Sequence, residues 1–217
     1  MNSAQTAAQQ FDLKGHIANI RPFGSGNINR TFLLTTDTNE TLILQELNSR
    51  VFVNPKQVME NLAVVIRHMT GESKNQGLDA SGWQLPQIIK TRSGQNYAIT
   101  PDGECWRVVT CIEGTQSFDT IGSIDQARNA GAALGRFHRL TDNLDPNILH
   151  DTLPGFHQTP AYLAYYDEVR QTGKTGLDEL GEYTAFCSAC IENSRDSIKT
   201  LEEAREAGRL QIRTMHG

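Results

Sequence analysis

A glycine-rich segment near the N-terminus contains the residue types that bind phosphate groups. Gly24 and Gly26 are separated by one residue and followed by Asn27 and Asn29, between two stretches rich in strand-forming residues. Glycine permits a positive φ and lets the backbone approach a ligand closely, and consecutive N–H groups in such a turn can bind phosphate oxygens. Many Gly-x-Gly turns only connect two strands. The motif alone therefore leaves an ordinary hairpin open as an alternative.

Two polar side chains follow on elements that would lie beside this segment. Gln45 is part of Thr41–Leu47, a predicted strand, and shares a face with the apolar residues two positions away because side chains alternate along a strand. Glu60 lies in the middle of a helix that begins at Asn54 and Pro55, since asparagine and proline favour a helix start. Glu60 is opposite the apolar stripe of that helix, which is typical of a solvated residue.

The chain has four cysteines, of which Cys187 and Cys190 have the CxxC spacing found in redox and zinc sites. They lie within the predicted helix Tyr183–Thr200, without a second CxxC pair or a nearby histidine. We therefore interpret them as buried thiols of the core.

The composition excludes several classes of protein. The 217 residues are 38% hydrophobic and 21% charged, as in an ordinary soluble domain. The net charge of -5 argues against a nucleic-acid-binding surface, and no apolar run is long enough to span a bilayer. Met1–Gln10 has neither the basic nor the apolar region of a signal peptide. We expect a cytoplasmic protein without nucleic-acid or membrane partners.

The pattern of residues predicts strands in the first half and helices in the second. Residues 1–13 read as a loose leader, followed by a strand from Lys14 and a helix that ends near Gly71. The other predicted strands are Thr31–Thr36, Thr41–Leu47, Gln84–Lys90, Asn96–Thr100 and Cys105–Ile112.

After Gly114 the periodicity becomes helical. Helices are predicted over Asp125–Leu140, Ala161–Gln171 and Leu177–Glu206, and a final strand over Leu210–Thr214. The predicted organisation is thus a leader (1–13), a β-rich lobe (14–112), a hinge (113–120) and a helical lobe (121–217).

The order of these elements and of several short motifs resembles the aminoglycoside phosphotransferase/choline kinase superfamily, and within it the N-acetylhexosamine 1-kinase-like group. The motifs are Gly24–Phe32, Ile43–Asn48, Trp106-Arg107, Ile112-Glu113-Gly114, Leu134–His138, Leu153–His157 and Arg213–Gly217. The resemblance implies an α+β, protein-kinase-like bilobal fold with a β-rich N-lobe containing one helix and an incomplete helical C-lobe. It also implies ATP and Mg²⁺ as cofactors of the complete protein and a small-molecule hydroxyl, on a sugar or an amino alcohol, as the acceptor.

The resemblance also assigns roles to individual residues. The glycine segment would cover the nucleotide phosphates, Gln45 stands where many relatives have a phosphate-pairing lysine or arginine, and Glu60 would be the helix glutamate that pairs with it. The hinge would offer backbone groups to the adenine ring. The implied cofactor-binding residues are Gly24, Ser25, Gly26, Asn27, Asn29, Gln45, Glu60, Thr110 and Ile112.

Two departures from the family pattern affect the expected activity. Thr41–Leu47 has no basic residue, and a glutamine can donate a hydrogen bond to phosphate but supplies no charge. In the family, the residues corresponding to His216-Gly217 open the catalytic loop, and the catalytic Asp and the metal ligands follow them. We therefore assign no catalytic or metal-binding residue, and expect this chain to be an N-terminal fragment with negligible kinase activity and exposed apolar surface on its last helices.

Two alternatives remain open from the sequence. One is a degenerate, non-catalytic module that binds nucleotide or a protein partner, which the neutral Gln45 favours. The other is a structural domain without a nucleotide, if the glycine segment is only a hairpin. The acceptor and the oligomeric state are not predicted.

Overall fold

A computed structural model describes residues 3–77, 83–116, 118–172 and 181–214. The chain forms two compact units. One unit comprises the described residues up to Thr152 together with Arg213 and Thr214, and the other comprises those from Leu153 to Ile212. This division falls later in the chain than the predicted hinge at 113–120, which stays a prediction.

The first unit contains a six-stranded sheet, three α-helices and a short 3-10 helix. The strands are β1 (Ile17–Pro22), β2 (Arg30–Thr36), β3 (Thr41–Leu47), β4 (Ile88–Ile89), β5 (Ala98–Ile99) and β6 (Cys105–Thr110). The helices are α1 (Ser3–Ala8), α2 (Pro55–Asn75), α3 (Ile124–Thr141) and the 3-10 helix Pro146–Ile148. The second unit contains α4 (Thr159–Gln171) and α5 (Glu182–Glu206).

The sheet is antiparallel and has the order β1-β2-β3-β6-β4, with β5 also paired to β6. One face of β3 and β6 carries a cluster of buried residues that includes Leu44 and Trp106. The opposite face carries Leu47 and Cys105, which pack with Met59 of α2. Because side chains alternate along a strand, each strand contributes to both clusters.

The N-terminal residues are part of the core and not a loose leader. Ala4, Ala7 and Ala8 of α1 and the following Phe11 are all buried against the sheet. Ser3 Oγ also donates a hydrogen bond to a carboxylate oxygen of Glu104. The prediction for residues 1–13 failed because small alanines at helical spacing give a weak hydrophobic signal within a polar sequence.

The remaining elements follow the order predicted from the sequence, with several differences in their bounds. The strands predicted over Gln84–Lys90 and Asn96–Thr100 are reduced to β4 and β5, of two residues each, and the predicted start of the last helix at Leu177 lies outside the described residues. Helix α2 extends to Asn75, beyond the predicted end near Gly71. Residues 210–214 do not form the predicted strand; instead, the Thr214 carbonyl accepts a hydrogen bond from Thr141 Oγ1 at 3.3 Å.

Helices α4 and α5 expose apolar side chains, as expected from the sequence. Their exposed large residues are Tyr162, Tyr165, Tyr183, Phe186 and Leu201. Among the described residues, no helix combines the length and the apolar character required to cross a membrane.

The cysteines differ in exposure, and the prediction of buried thiols is wrong for the CxxC pair. Cys187 and Cys190 are both exposed on α5, whereas Cys105 of β6 is buried. Burial raises the pKa of the Cys105 thiol to about 11, although Arg107 and Lys56 act in the opposite direction. The CxxC spacing places two side chains on one helix face, but it does not determine whether that face is covered.

We therefore expect thiol reagents at pH 8 to label Cys187 and Cys190 rapidly and Cys105 only after unfolding. The thiolate is the reactive form, and a pKa of about 11 leaves only about one thiol in a thousand ionised at pH 8. The unfolded chain ionises at a lower pH, so this thiol should also make the folded state less stable as the pH rises from about 8.5 towards 11. Peptide mapping after timed labelling locates the modified residues. A Cys105→Ser variant should show the same fast phase, and rapid modification of Cys105 in the folded chain would contradict the assignment.

Candidate functional site

The glycine-rich segment forms an exposed loop between β1 and β2. Phe23 N donates to the Thr31 carbonyl at 2.9 Å and closes the base of the loop. Gly24 has a φ of +79°, and a Cβ added at Gly24 or Gly26 would meet no atom within 4 Å. Gly24, Ser25, Gly26 and Asn27 are exposed, and no hydrogen bond within the described residues engages their N–H groups. The tip therefore presents free backbone donors beside open space.

Two asparagines fix the base of this loop to the segment after β3. Asn29 Oδ1 accepts a hydrogen bond from Asn48 N at 2.9 Å, and Asn48 Nδ2 donates to the Ile28 carbonyl at 3.0 Å. A cavity of about 290 Å³ lies beside this junction. Its lining residues are Ile28, Arg30, Glu46, Asn48, Ser49 and Arg50. Asn29 thus has a clear role in holding the base of the loop, while Asn27 stays at the tip.

Gln45 lies at the centre of a hydrogen-bonded row that crosses three strands. Thr31, Gln45 and Arg107 are direct neighbours in the register of β2, β3 and β6. Gln45 Nε2 donates to Thr31 Oγ1 at 2.8 Å. Gln45 Oε1 accepts from Arg107 Nε at 3.0 Å and from Arg107 Nη2 at 2.5 Å. Both ends of the amide are therefore engaged within the sheet.

Glu60 does not contact Gln45, although the resemblance implies that these two residues pair. Its Oε2 lies 2.8 Å from Nε2 of His150. The neighbouring Asn61 holds His150 in place, since its side chain accepts from the His150 N–H and donates to the His150 carbonyl, both at 2.8 Å. The hydrogen bonds recorded for Gln45 in the described residues involve only Thr31 and Arg107. Glu60 is therefore a surface residue on α2, bonded to the segment after the 3-10 helix.

The predicted hinge residues lie at the end of β6. Thr110 N donates to the Gln87 carbonyl at 2.9 Å, and Thr110 Oγ1 accepts from Gln87 N at 2.9 Å. The Ile112 carbonyl accepts a hydrogen bond from Thr115 Oγ1 at 3.0 Å. These bonds fix the backbone at the edge of the sheet. The assignment of Thr110 and Ile112 to adenine binding stays a prediction.

Arg107 is the residue of this site for which no role is predicted from the sequence. Trp106-Arg107 is one of the motifs on which the resemblance rests, but neither residue was among the implied cofactor-binding residues. The signal that could have identified it is a cation within the most apolar strand of the first half, two residues from Cys105 and so on the same face. Burial lowers the pKa of the Arg107 guanidinium.

The described residues do not form a metal site. No group of three or more His, Cys, Asp or Glu side chains comes together within the parts of the chain that the structure describes. We therefore assign no Mg²⁺ ligands among the described residues, whereas the open, donor-rich loop fits a phosphate group.

Comparison with known proteins relates this architecture to phosphotransferases. The model of a family described as "Phosphotransferase enzyme family" matches residues 19–197. The chain is similar to an aminoglycoside phosphotransferase of solved structure from Alicyclobacillus acidocaldarius subsp. acidocaldarius DSM 446, with 15% identity, a TM-score of 0.50, and coverage of 77% of this chain and 42% of that chain. It also matches amicoumacin kinase hAmiN, solved in complex with AMP-PNP, Ca²⁺ and Ami, with 16% identity, a TM-score of 0.42, and coverage of 64% and 39%.

The chain therefore spans less than half the length of either solved relative. The first likeness, at low identity, concerns the fold alone. It confirms the predicted α+β, protein-kinase-like fold class.

Proposed function

Since the chain belongs to the phosphotransferase enzyme family, we propose that its first unit binds ATP as part of a small-molecule kinase. The acceptor class that we propose is a hydroxyl of a sugar or an amino alcohol, as in the N-acetylhexosamine 1-kinase-like group. The observation that carries the proposal is the loop at 24–27, whose N–H groups are free and whose glycines face open space.

We propose the following roles for the residues of this site. The N–H groups of the loop tip donate to phosphate oxygens, and the approach of the phosphates is close because neither glycine carries a Cβ. Asn29 and Asn48 hold the base of the loop in position. The backbone at Thr110 and Ile112 is proposed to bind the adenine ring at the edge of the sheet. Glu60 bonds His150 and is proposed to support α2 and not to touch the phosphates.

Phosphoryl transfer depends on positioning, charge neutralisation and a base near the acceptor hydroxyl. ATP supplies the transferred group, and a divalent metal ion, which the family uses, would supply positive charge at the phosphates when bound. The described residues provide phosphate positioning and offer no set of metal ligands. We therefore propose that the catalytic base and the Mg²⁺ ligands belong to the complete kinase and lie outside these residues.

Calorimetry with a non-hydrolysable ATP analogue tests the nucleotide site. The 217-residue chain is compared with the chain extended to its natural stop, in the presence and absence of Mg²⁺. Binding by both, with Mg²⁺ dependence only in the extended chain, is the expected result. Failure of both to bind would reduce the relationship to one of fold alone.

The acceptor is tested with the extended chain. ATP consumption is measured against a panel of N-acetylhexosamines, other sugars and amino alcohols, and a variant in which Asn replaces the catalytic-loop Asp is the inactive control. Turnover with one of these hydroxyl compounds is expected. Nucleotide binding without turnover on any acceptor would contradict the kinase proposal.

The neutral Gln45 favours a second candidate, a non-catalytic module that binds nucleotide. Its amide carries no charge, and both of its ends are already bonded, to Thr31 and to Arg107. The coding sequence downstream distinguishes the two candidates. An Asp directly after Gly217 with an Asn soon after it supports the kinase, and a stop codon or an altered loop supports the non-catalytic module.

A further inference from the structure

Arg107 is a partly buried cation that lacks a carboxylate partner among the described residues. The acceptor of its two recorded hydrogen bonds is the neutral oxygen of Gln45, and none of the ion pairs between described residues involves it. Removing a guanidinium from water without a counter-ion is costly. A site that retains such a group is expected to gain an anion when its ligand binds.

The opposite face of the same strands provides a contrast. Arg30 of β2 lies there and pairs with the carboxylates of Glu46 and Glu104. It also lies over the Trp106 ring, with its guanidinium carbon 5.8 Å from the ring centre. The arginine on that face is therefore neutralised within the protein, whereas the charge of Arg107 is not.

The row Thr31–Gln45–Arg107 connects this cation to the glycine loop. Thr31 lies two residues after Asn29 and bonds the phenylalanine at the loop base through its carbonyl. Gln45 bonds Thr31 at 2.8 Å and Arg107 at 3.0 Å and 2.5 Å. The amide occupies the Nε and one Nη2 donor of the guanidinium, which has five N–H groups in a fixed fork. Further donors of Arg107 are thus left for a phosphate, with the plane of the fork already oriented.

From this arrangement we infer that Arg107 supplies the phosphate-pairing cation that β3 lacks, so that the charge comes from the neighbouring strand β6 while Gln45 orients it. The inference rests on the proposed nucleotide site and adds to it a residue for the phosphates. In chemical terms, the ligand of Arg107 is the diphosphate part of a nucleotide. Gln45 is a positioning residue, because it acts through the guanidinium.

Comparing adenosine with ADP isolates the phosphate contribution. Binding of each to the full 217-residue chain is measured by calorimetry without divalent metal, for the original chain and for Arg107→Met. Loss of a charge-assisted contact is expected to weaken ADP by about 10- to 100-fold and to change adenosine by less than about twofold. Arg67→Met, which removes an exposed cation from α2, is the matched control and should bind both ligands normally.

A charge-relocation variant tests the same inference in the opposite direction. Gln45→Lys combined with Arg107→Met returns the cation to β3 and should restore most of the ADP affinity, without affecting adenosine. If circular dichroism shows that the Arg107→Met variant is unfolded, Arg107→Lys is used in its place. That variant keeps the charge but loses the bidentate fork, so ADP should weaken by about 3- to 10-fold.

The outcomes separate the inference from the proposed function. Unchanged ADP affinity in the Arg107 variant, or an equal loss for adenosine and ADP, overturns the phosphate role while the nucleotide site stands. If the original chain binds neither adenosine nor ADP, the proposed function fails and the role of Arg107 fails with it.

Discussion

Replacing Gly26 by valine is expected to weaken ATP binding by about 100-fold or more, which corresponds to about 2.7 kcal/mol, without affecting the fold. A Cβ at this position meets no protein atom within 4 Å, and the backbone is not in the left-handed region. The branched side chain should therefore obstruct only a ligand that approaches the loop. Calorimetry with an ATP analogue measures the affinity, and thermal unfolding measures the stability.

Gly26 is a sharper test than Gly24. The φ of +79° at Gly24 is strained for a branched residue and costs about 1–3 kcal/mol, so a loss of binding in Gly24→Val would include a change in the loop. Gly71→Val is the matched control, because Gly71 lies on α2 with no atom within 4 Å of an added Cβ. Normal ATP affinity in Gly26→Val would mean that the loop is an ordinary hairpin.

The parts of the site that the sequence predicts are those set by local rules. The bounds of β3 agree with the prediction, and β2 begins one residue earlier at Arg30. The position of the glycine loop between two strands was predictable because both the glycine backbone and strand propensity depend on the local sequence. The exposure of the loop tip depends on the same short segment.

Contacts between distant residues were not predictable in this way. Glu60 meets His150, and Gln45 meets Arg107 across β3 and β6, because the fold brings remote segments together. The sequence placed Gln45 on a strand face, but only the register identifies Arg107 as its neighbour. For Cys187 and Cys190, the same limitation concerns burial, because helical spacing does not state what covers a face.

The register also explains why Arg30 and Arg107, each on a strand next to β3, have different roles. Glu46 and Gln45 are adjacent in β3 and therefore point to opposite faces. Glu46 neutralises Arg30 on the face that α1 covers, whereas Gln45 binds Arg107 on the face shared with Leu47. One strand thus contributes an internal ion pair to one face and an oriented, uncompensated cation to the other.

The largest stability effect is expected at Trp106. Its ring is fully buried and lies 5.9 Å from the Phe32 ring between centres, and its Nε1 donates to Glu104 Oε2 at 3.2 Å. Trp106→Ala removes most of this packing and leaves a cavity, so the free energy of unfolding should fall by about 3–5 kcal/mol. That is a large part of the 5–15 kcal/mol typical of a folded domain.

Urea unfolding followed by far-ultraviolet circular dichroism measures this change, since the substitution itself alters the fluorescence. Trp106→Phe retains a ring but loses the hydrogen bond to Glu104, and should cost about 1–3 kcal/mol. Val53→Ala is the control, because Val53 is 87% exposed and should change stability by no more than about 0.5 kcal/mol. A Trp106→Ala variant as stable as this control would contradict the packing described for β6.

Trp106 and Arg107 together provide the decisive comparison, because adjacent residues of one strand face opposite sides of the sheet. Trp106→Ala should lower stability, and its remaining folded fraction should bind ADP normally, since the ring lies on the face away from Gln45. Arg107→Met should show the reverse, with near-normal unfolding and weakened ADP. If both variants lost stability and binding in parallel, the two faces of β6 would not have separate functions.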